Sequence, residues 1–515
     1  MIYSTKINLV VTFFLGALST FSLAPFNFFF INFFIYSFFF ILLHNLNKRK
    51  FTYFSFFIFG WSFGFGYFLS SLYWISISLT YDKNFSYLLP FAIILIPAFL
   101  AIFYGIAIVL FKLLSTKNNF SSILIFSLCL GTLEYIRGNM LSGFPWNLIG
   151  YSFVNVLEFI QINSIIGMYG FNLLSITLFI LPSIFFIKKT KREYYPIFGL
   201  VFLIILIFIH GNYAIKKFEN IEANKSDYNF VIISSDISLE RFYSSLDNDE
   251  EILMELINLS NPKKFKNKKT IFIWPEGILP KTIANNLSKY KKIIEHYFEN
   301  DHKVILGLNR EQIIDERKHI YNSLVLINNS AEVLSFYDKI RLVPFGEFLP
   351  MENILSKVGL KSLTNNYQSY SSGKKAKTNI KIDENLNFLP LICYEIIYPG
   401  IIKNYHDYDL IINLSEDGWF GKSLGPHQHF THSVFRSIET GKYIIRSANN
   451  GISSITNPNG KIISKINLQN TGNIVLENYK NSQKTIFSQY GNKVFLILIF
   501  IYIFLIFSFN RIKYE

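Results

Sequence analysis

Eight apolar stretches of bilayer-spanning length recur along the chain, at residues 7–24, 28–44, 53–79, 88–114, 120–136, 163–187, 196–215 and 494–510. A hydrocarbon core offers no water to unpaired backbone groups, so stretches of this kind have to be helices. Composition agrees: the chain is 51% hydrophobic and 18% aromatic with 56 Phe, too apolar for an ordinary soluble protein of 515 residues. The formal net charge of +14 does not point to nucleic acid, because many Lys and Arg flank the apolar segments rather than forming a basic face. Two cysteines exclude a disulfide framework. Cys129, inside "ILIFSLCLGTLEY", reads as a small buried hydrophobe of a membrane helix.

Between residues 220 and 490 the pattern changes to short β-branched runs, polar turns and amphipathic stretches. The chain therefore divides into a membrane domain of about seven helices (1–219), an α/β domain (220–490), and a closing helix with a short tail (491–515). Basic residues cluster at Lys6, at Lys48-Arg49-Lys50, at Lys112 and Lys117, at Lys188, Lys189, Lys191 and Arg192, and at Arg511 and Lys513. With helices alternating in direction, all five clusters fall on one side. The positive-inside rule makes that side the cytoplasm and puts 220–490 on the opposite face. Lys216 and Lys217 run against the rule, but they lead into a large translocated domain, where it has little force.

The connection "LEYIRGNMLSGFPWNLIGYSF" is semi-polar and rich in Gly and aromatics, which predicts a place at the outer interface or a re-entrant course. Its Glu134 and Arg137 either pair and snorkel, or form the floor of a lipid site. In the α/β domain, strands are expected at "NFVIISSD", "TIFIWPE", "KVILGLN", "YNSLVLIN", "FLPLICYE", "YDLIINLS" and "YIIRSANNG", with helices around 247–260, 285–299 and 427–441. Residues 351–380 show no periodicity, as expected of a lid or a disordered excursion.

Three apolar runs end on reactive groups: Glu276 in "IFIWPEG", Lys339 in "YDKIRLVPFGEF" and Cys393 in "LICYE". Strand ends are where an α/β domain exposes side chains to a crevice. A free thiol, with a pKa of about 8.5, is mostly protonated near neutrality, so a nucleophilic cysteine needs a base or a cation beside it. Glu276 can supply the first and Lys339 the second, the ammonium also stabilising an oxyanion. Taken singly, each has a plainer reading: a helix cap, a solvated strand-end charge and a core thiol. His427, His429 and His432 lack the i, i+4 spacing of a helical zinc site, and no metal is expected.

The motifs "WPEG", "YDKIRLVPFGEFLP", "CYEIIYP", "EDGWFGKSLGPHQHF" and "RSANNGIS" occur in an order that resembles the nitrilase, or carbon-nitrogen hydrolase, superfamily. Over the whole chain, including "RGNMLSGFPWN" and the closing helix, the resemblance is to its membrane branch, the apolipoprotein N-acyltransferases. The implied architecture is a multi-pass α-helical membrane domain plus an α/β nitrilase-like domain, an αββα sandwich. The family's triad falls on Glu276, Lys339 and Cys393, and its supporting positions fall on Glu347, Tyr394, Glu395, Asn322 and Trp419. Two departures stand out: Ser415-Glu416-Asp417-Gly418 in place of the usual Asn-Asp, which predicts an extra acidic group at the pocket rim, and "SSDISLERFY" in place of a Gln-x-Asn and Lys-Trp pattern.

The resemblance implies ping-pong acyl transfer at the outer surface of a bacterial inner membrane. The expected donor is a phospholipid, phosphatidylethanolamine by preference. The expected acceptor is the α-amine of a diacylglyceryl-modified apolipoprotein. The enzyme would be a monomer without cofactor. The rivals are a membrane-tethered amidase, which would release ammonia from a wet pocket, and a transporter or sensor with a broken triad.

Overall fold

The computed structural model describes residues 5–81, 83, 85–187, 194–222, 224–243, 247–352, 357, 369–374, 379–400, 408–480 and 484–511. The basic cluster at 188–192, Lys513 and most of the aperiodic segment 351–380 lie outside the described residues.

The membrane half consists of α1 (Thr5–Ser19), α2 (Ile31–Lys48), α3 (Tyr53–Leu72), α4 (Leu89–Leu114), α5 (Asn119–Asn139), the single turn α6 (Leu157–Ile160), α7 (Asn163–Ile180) and α8 (Tyr194–Glu219). Among the described residues seven helical stretches are long and apolar enough to cross a membrane. They are Thr5–Ser22, Tyr53–Thr80, Ser86–Leu114, Asn119–Asn139, Asn163–Phe185, Tyr195–Glu219 and, after the α/β domain, Lys493–Arg511. These coincide with seven of the eight apolar stretches. The eighth is α2, whose last turns carry His44, Asn45, Asn47 and Lys48, while Phe39, Phe40, Leu43 and Leu46 bury its apolar face.

Among the described residues twelve strands follow: β1 (Asn224–Ser234), β2 (Thr270–Ile273), β3 (His302–Ile314), β4 (Arg317–Asn328), β5 (Val333–Asp338), β6 (Ile380–Lys381), β7 (Asn387–Ile392), β8 (Leu410–Glu416), β9 (Tyr443–Asn449), β10 (Ser453–Thr456), β11 (Ile462–Ile466) and β12 (Gly472–Tyr479). They form two six-stranded sheets, β12-β1-β2-β3-β4-β5 and β11-β10-β9-β8-β7-β6. Each contains a parallel core, β1-β2-β3 in one and β7-β8-β9 in the other.

Strand side chains alternate faces, and burial on both faces dictates the layering. Phe230, Ile232, Ile273, Phe388, Ile412 and Ile445 meet between the sheets. On the outer face of the first sheet, Val231, Ile233, Phe272 and Trp274 pack with α9 (Asp249–Ser260) and α10 (Lys291–Tyr297). The second sheet's outer residues, Leu389, Leu391, Ile411 and Ile444, join Phe435 and Ile438 of α11 (Gly425–Thr440). This same cluster continues into Trp146, Phe159 and Phe171 of the membrane half. The αββα sandwich is thus seated by one helix layer on the membrane helices. The chain ends with α12 (Ile486–Tyr490) and α13 (Lys493–Arg511).

Candidate active site

Parallel strands point their carboxyl ends the same way, and a crevice forms there. Glu276 lies three residues past β2, Cys393 follows β7 directly, and Glu416 closes β8. Lys339 follows β5, which runs parallel to β3 because both pair antiparallel with β4. The turn after β2 lies tight on β3: a Cβ at Gly307 would sit 2.5 Å from the Glu276 Cα, so only glycine admits the Glu276 backbone there.

Four of the expected residues form one network. Lys339 Nζ donates to Glu276 Oε1 (3.2 Å) and to Glu347 Oε1 (2.9 Å). Asn322 Nδ2 donates to the same two oxygens, both at 2.8 Å. The Glu347 Oε2 atom accepts from the Val343 N–H at 2.8 Å, which fixes the loop that carries it. Burial alone would lower the Lys339 pKa, but Glu276 and Glu347 outweigh it and hold the group well above its ordinary value. Lys339 is therefore a permanent ammonium.

Cys393 faces this pair. Burial, chiefly, pushes its thiol well above the usual range, with Glu276 and Asp417 adding to the effect while Lys339 and a hydrogen bond with Ser415 oppose it. The resting sulfur is a thiol, and it needs a base to become a nucleophile. Its backbone has φ +46°, a left-handed conformation that costs a non-glycine residue about 1 kcal/mol or more and is held by its surroundings. Glu395 does much of the holding. Its Oε2 caps the Ile392 N–H (2.9 Å), and its Oε1 accepts from Tyr337 Oη (2.8 Å) and the N–H groups of Ile340 (2.9 Å) and Arg341 (3.1 Å). One fully buried carboxylate thereby ties the cysteine turn to the residues that follow Lys339.

Tyr394 points the other way, into the membrane half. Its hydroxyl donates to the Gly143 carbonyl (3.1 Å), and that of Tyr398 reaches the carbonyls of Ser142 (3.0 Å) and Gly143 (3.1 Å). Gly143 has φ +73° and lies so close to the end of α5 that a Cβ would sit 2.3 Å from the Gly138 carbonyl oxygen. The connection expected at the outer interface is thus a platform beneath the cysteine turn, with Trp146, Asn147 and Leu148 enclosed while Met140 and Leu141 stay exposed. Glu134 and Arg137 do pair, but they do not snorkel: each is almost wholly buried, and Arg137 also donates to the Phe144 carbonyl.

Trp419 lies against Phe242 (5.4 Å between centroids) and edge-on to Tyr81 (5.9 Å). Glu416 departs from the expectation of a rim carboxylate. It is buried, at 2% exposure, because Arg241 from the other atypical segment enters to pair with it, and Asn449 Nδ2 donates to it at 2.8 Å. The sequence reading missed a polar network behind the cysteine. Arg446 grips Asp417 (2.8 and 2.9 Å), His429 Nδ1 lies 2.8 Å from Asp417 Oδ1, and His429 Nε2 lies 3.2 Å from the Cys393 carbonyl oxygen. His432 packs edge-on against Tyr151. The signal was present in "EDGWFG", "PHQHF" and "RSANN", but those segments are joined only by the pairing of β8 with β9 and by His429 of α11 reaching Asp417.

Known proteins match the chain over both halves. Residues 15–181 match the apolipoprotein N-acyltransferase N-terminal domain, and residues 264–478 match the carbon-nitrogen hydrolase family. The apolipoprotein N-acyltransferase of Rhizobium leguminosarum bv. trifolii is 33% identical over 426 residues, 80% of this chain and 78% of that one. That of Rickettsia prowazekii is 33% identical over 461 residues, covering 87% and 90%. A mutant of the Nesterenkonia AN1 amidase of the nitrilase superfamily aligns with 50% of this chain and 92% of its own, at 12% identity and a TM-score of 0.34. Relatives of this identity run through both the helical half and the sandwich, and the chain belongs to the apolipoprotein N-acyltransferase family.

Proposed function

We propose that the chain is a phospholipid:apolipoprotein N-acyltransferase in which Cys393 carries the acyl group. The observation that carries this reading is the convergence of a buried thiol, a carboxylate and a permanent ammonium directly above a platform of the membrane half. Glu276 takes the proton of Cys393 as sulfur attacks the sn-1 ester carbonyl of a phospholipid, phosphatidylethanolamine being the expected donor. Lys339 and a backbone N–H beyond the cysteine stabilise the tetrahedral oxyanion, an effect typically worth about 3 kcal/mol per donor. The intermediate collapses, Glu276 returns the proton to the departing glycerol oxygen, and a lysophospholipid leaves. The α-amine of an S-diacylglyceryl cysteine then attacks the thioester. Glu276 accepts the amine proton and passes it to the leaving sulfur, which gives the amide and restores the thiol.

The membrane helices suit these substrates. Lifting an acyl chain out of the bilayer costs about 0.8 kcal/mol per CH₂, so the thiol has to stand at the lipid surface. Water must also be kept out, because a solvated thioester hydrolyses. The helix ends that meet the sandwich bear on the orientation. Tyr81, between α3 and α4, bonds the Gly418 carbonyl, and the platform after α5 receives Tyr394 and Tyr398. Lys48, Arg49 and Lys50 lie between α2 and α3, and Lys112 and Lys117 lie around the end of α4, at the opposite helix ends. This supports a periplasmic catalytic domain on a bacterial inner membrane.

The test is incubation of the purified chain with phospholipid labelled in its sn-1 chain, followed by detection of a hydroxylamine-sensitive adduct. Wild type should carry label at Cys393 and release lysophospholipid, and Cys393→Ala should carry none. Equal labelling of Cys393→Ala would remove Cys393 from the mechanism, and ammonia release from small amides without lysophospholipid would favour an amidase.

A further inference from the structure

We infer that the buried Arg241–Glu416 ion pair is a positioning device for Glu276, holding the carboxylate in the orientation that faces the thiol. Both members come from segments that depart from the family pattern, and they meet each other. Glu416 is 2% exposed and Arg241 7%.

The pair reaches Glu276 from two sides. The backbone N–H of Glu416 donates to Glu276 Oε2 at 2.9 Å, while Oε1 is held by Asn322 and Lys339. That N–H is aimed because the Glu416 side chain is fixed twice: Oε1 accepts the Gly418 N–H (3.0 Å), and Oε2 accepts Arg241 Nη2 and Asn449 Nδ2. Arg241 is fixed in turn by the carbonyls of Ile237 (3.0 Å) and Ser238 (2.9 Å), and its Nη2 lies 3.5 Å from the carbonyl of Gly277, the residue after Glu276. The segment after β1 and the end of β8 are thereby clamped onto the turn that carries Glu276.

This inference rests on Glu276 being the proton acceptor, and the experiment separates the two claims. The kcat and KM for lysophospholipid release by the full-length chain in detergent are measured for Arg241→Met, Glu416→Gln, the double variant and Arg241→Lys, with Glu276→Gln alongside. Arg241→Met should lower kcat about tenfold with KM little changed, and Arg241→Lys should restore most of the loss. The double variant should lose no more than Arg241→Met does, because both residues act through one clamp. A wild-type kcat in folded Arg241→Met, a raised KM with unchanged kcat, or single losses that multiply in the double variant overturn the inference. If a single variant does not fold, a double variant with wild-type kcat overturns it, and one with lowered kcat and unchanged KM supports it. An active Glu276→Gln enzyme would instead refute the role of Glu276 itself.

Discussion

Replacing Glu395 by Gln isolates what one buried carboxylate does for the cysteine turn. The carboxylate accepts four hydrogen bonds: one oxygen serves Tyr337, Ile340 and Arg341, and the other serves Ile392. A carboxamide has one accepting oxygen. Turned toward the first three donors, it places its NH₂ against the Ile392 N–H, two donors face to face in a site with no solvent. Turned the other way, it sets the NH₂ against three donors instead of one, so the first arrangement wins. A lost bond to a charged acceptor, with a buried donor left over, costs about 2–3 kcal/mol. The loss falls next to Cys393, whose left-handed φ of +46° depends on that cap. A displacement of the thiol by about 1 Å lowers the acylation rate by roughly 10²-fold. Tyr337→Phe removes only one donor and leaves the Ile392 cap, so its cost should be about 1 kcal/mol with a much smaller rate effect. The assays are thermal unfolding in detergent and single-turnover acylation from labelled phospholipid. If Glu395→Gln melts within about 0.5 kcal/mol of wild type and acylates at the wild-type rate, the cap does not position the sulfur.

Because burial raises the Cys393 thiol, alkylation by iodoacetamide in a Cys129→Ser background should still be accelerating above pH 9, and Lys339→Met should slow it further; a plateau near neutrality would contradict the buried-thiol reading. Asp417 is held well below the usual carboxylate range: burial opposes this, but Arg446 and His429 outweigh it. The unfolded chain therefore binds a proton that the folded one refuses, so this stabilisation is complete above the ordinary Asp range and is lost as pH falls through and below it. Asp417→Asn should flatten the acid limb of the melting profile and lower stability by about 3–5 kcal/mol at neutral pH by leaving Arg446 unpaired. Glu347→Gln should lower kcat about tenfold or more with little change in KM, because it removes one of the two carboxylates that orient Lys339; a raised KM with unchanged kcat would place Glu347 in substrate binding instead.

What was legible in the sequence follows the range of the interactions. Apolar length located the helices, since a spanning helix satisfies its backbone within one segment. Glu276, Lys339 and Cys393 were legible as charges or thiols ending apolar runs, and strand direction brought those ends together. Strands β5, β6, β10, β11 and β12 were missed, being short or amphipathic; β11 reads "IISKI" and is largely exposed. The Asp417–His429–Arg446 network was invisible for another reason. Asn413 lies opposite Arg446 and Glu416 opposite Asn449 only through β8–β9 pairing, and no local pattern encodes that register. Glu416 was misplaced at the rim because an acidic residue in a loop motif is ordinarily solvated. Its partner Arg241 lies 175 residues away.

On the proposed mechanism, the seam between the two halves bears on how one thiol would serve two lipid substrates in turn. Tyrosine hydroxyls from the cysteine turn donate to backbone carbonyls of the platform, and Gln428 of α11 accepts from the indoles of Trp146 (2.9 Å) and Trp74 (3.3 Å). Glu439, at the other end of α11, accepts from the Met168 N–H at 2.7 Å. These groups are buried, so swinging the sandwich away from the helices would strand donors and acceptors at about 1–3 kcal/mol each and expose the apolar cluster that crosses the seam. The sulfur is therefore fixed in depth relative to the bilayer. In a ping-pong cycle donor and acceptor then reach the same point from the same lipid surface, and the movement between half-reactions belongs to the lipids rather than to the catalytic domain.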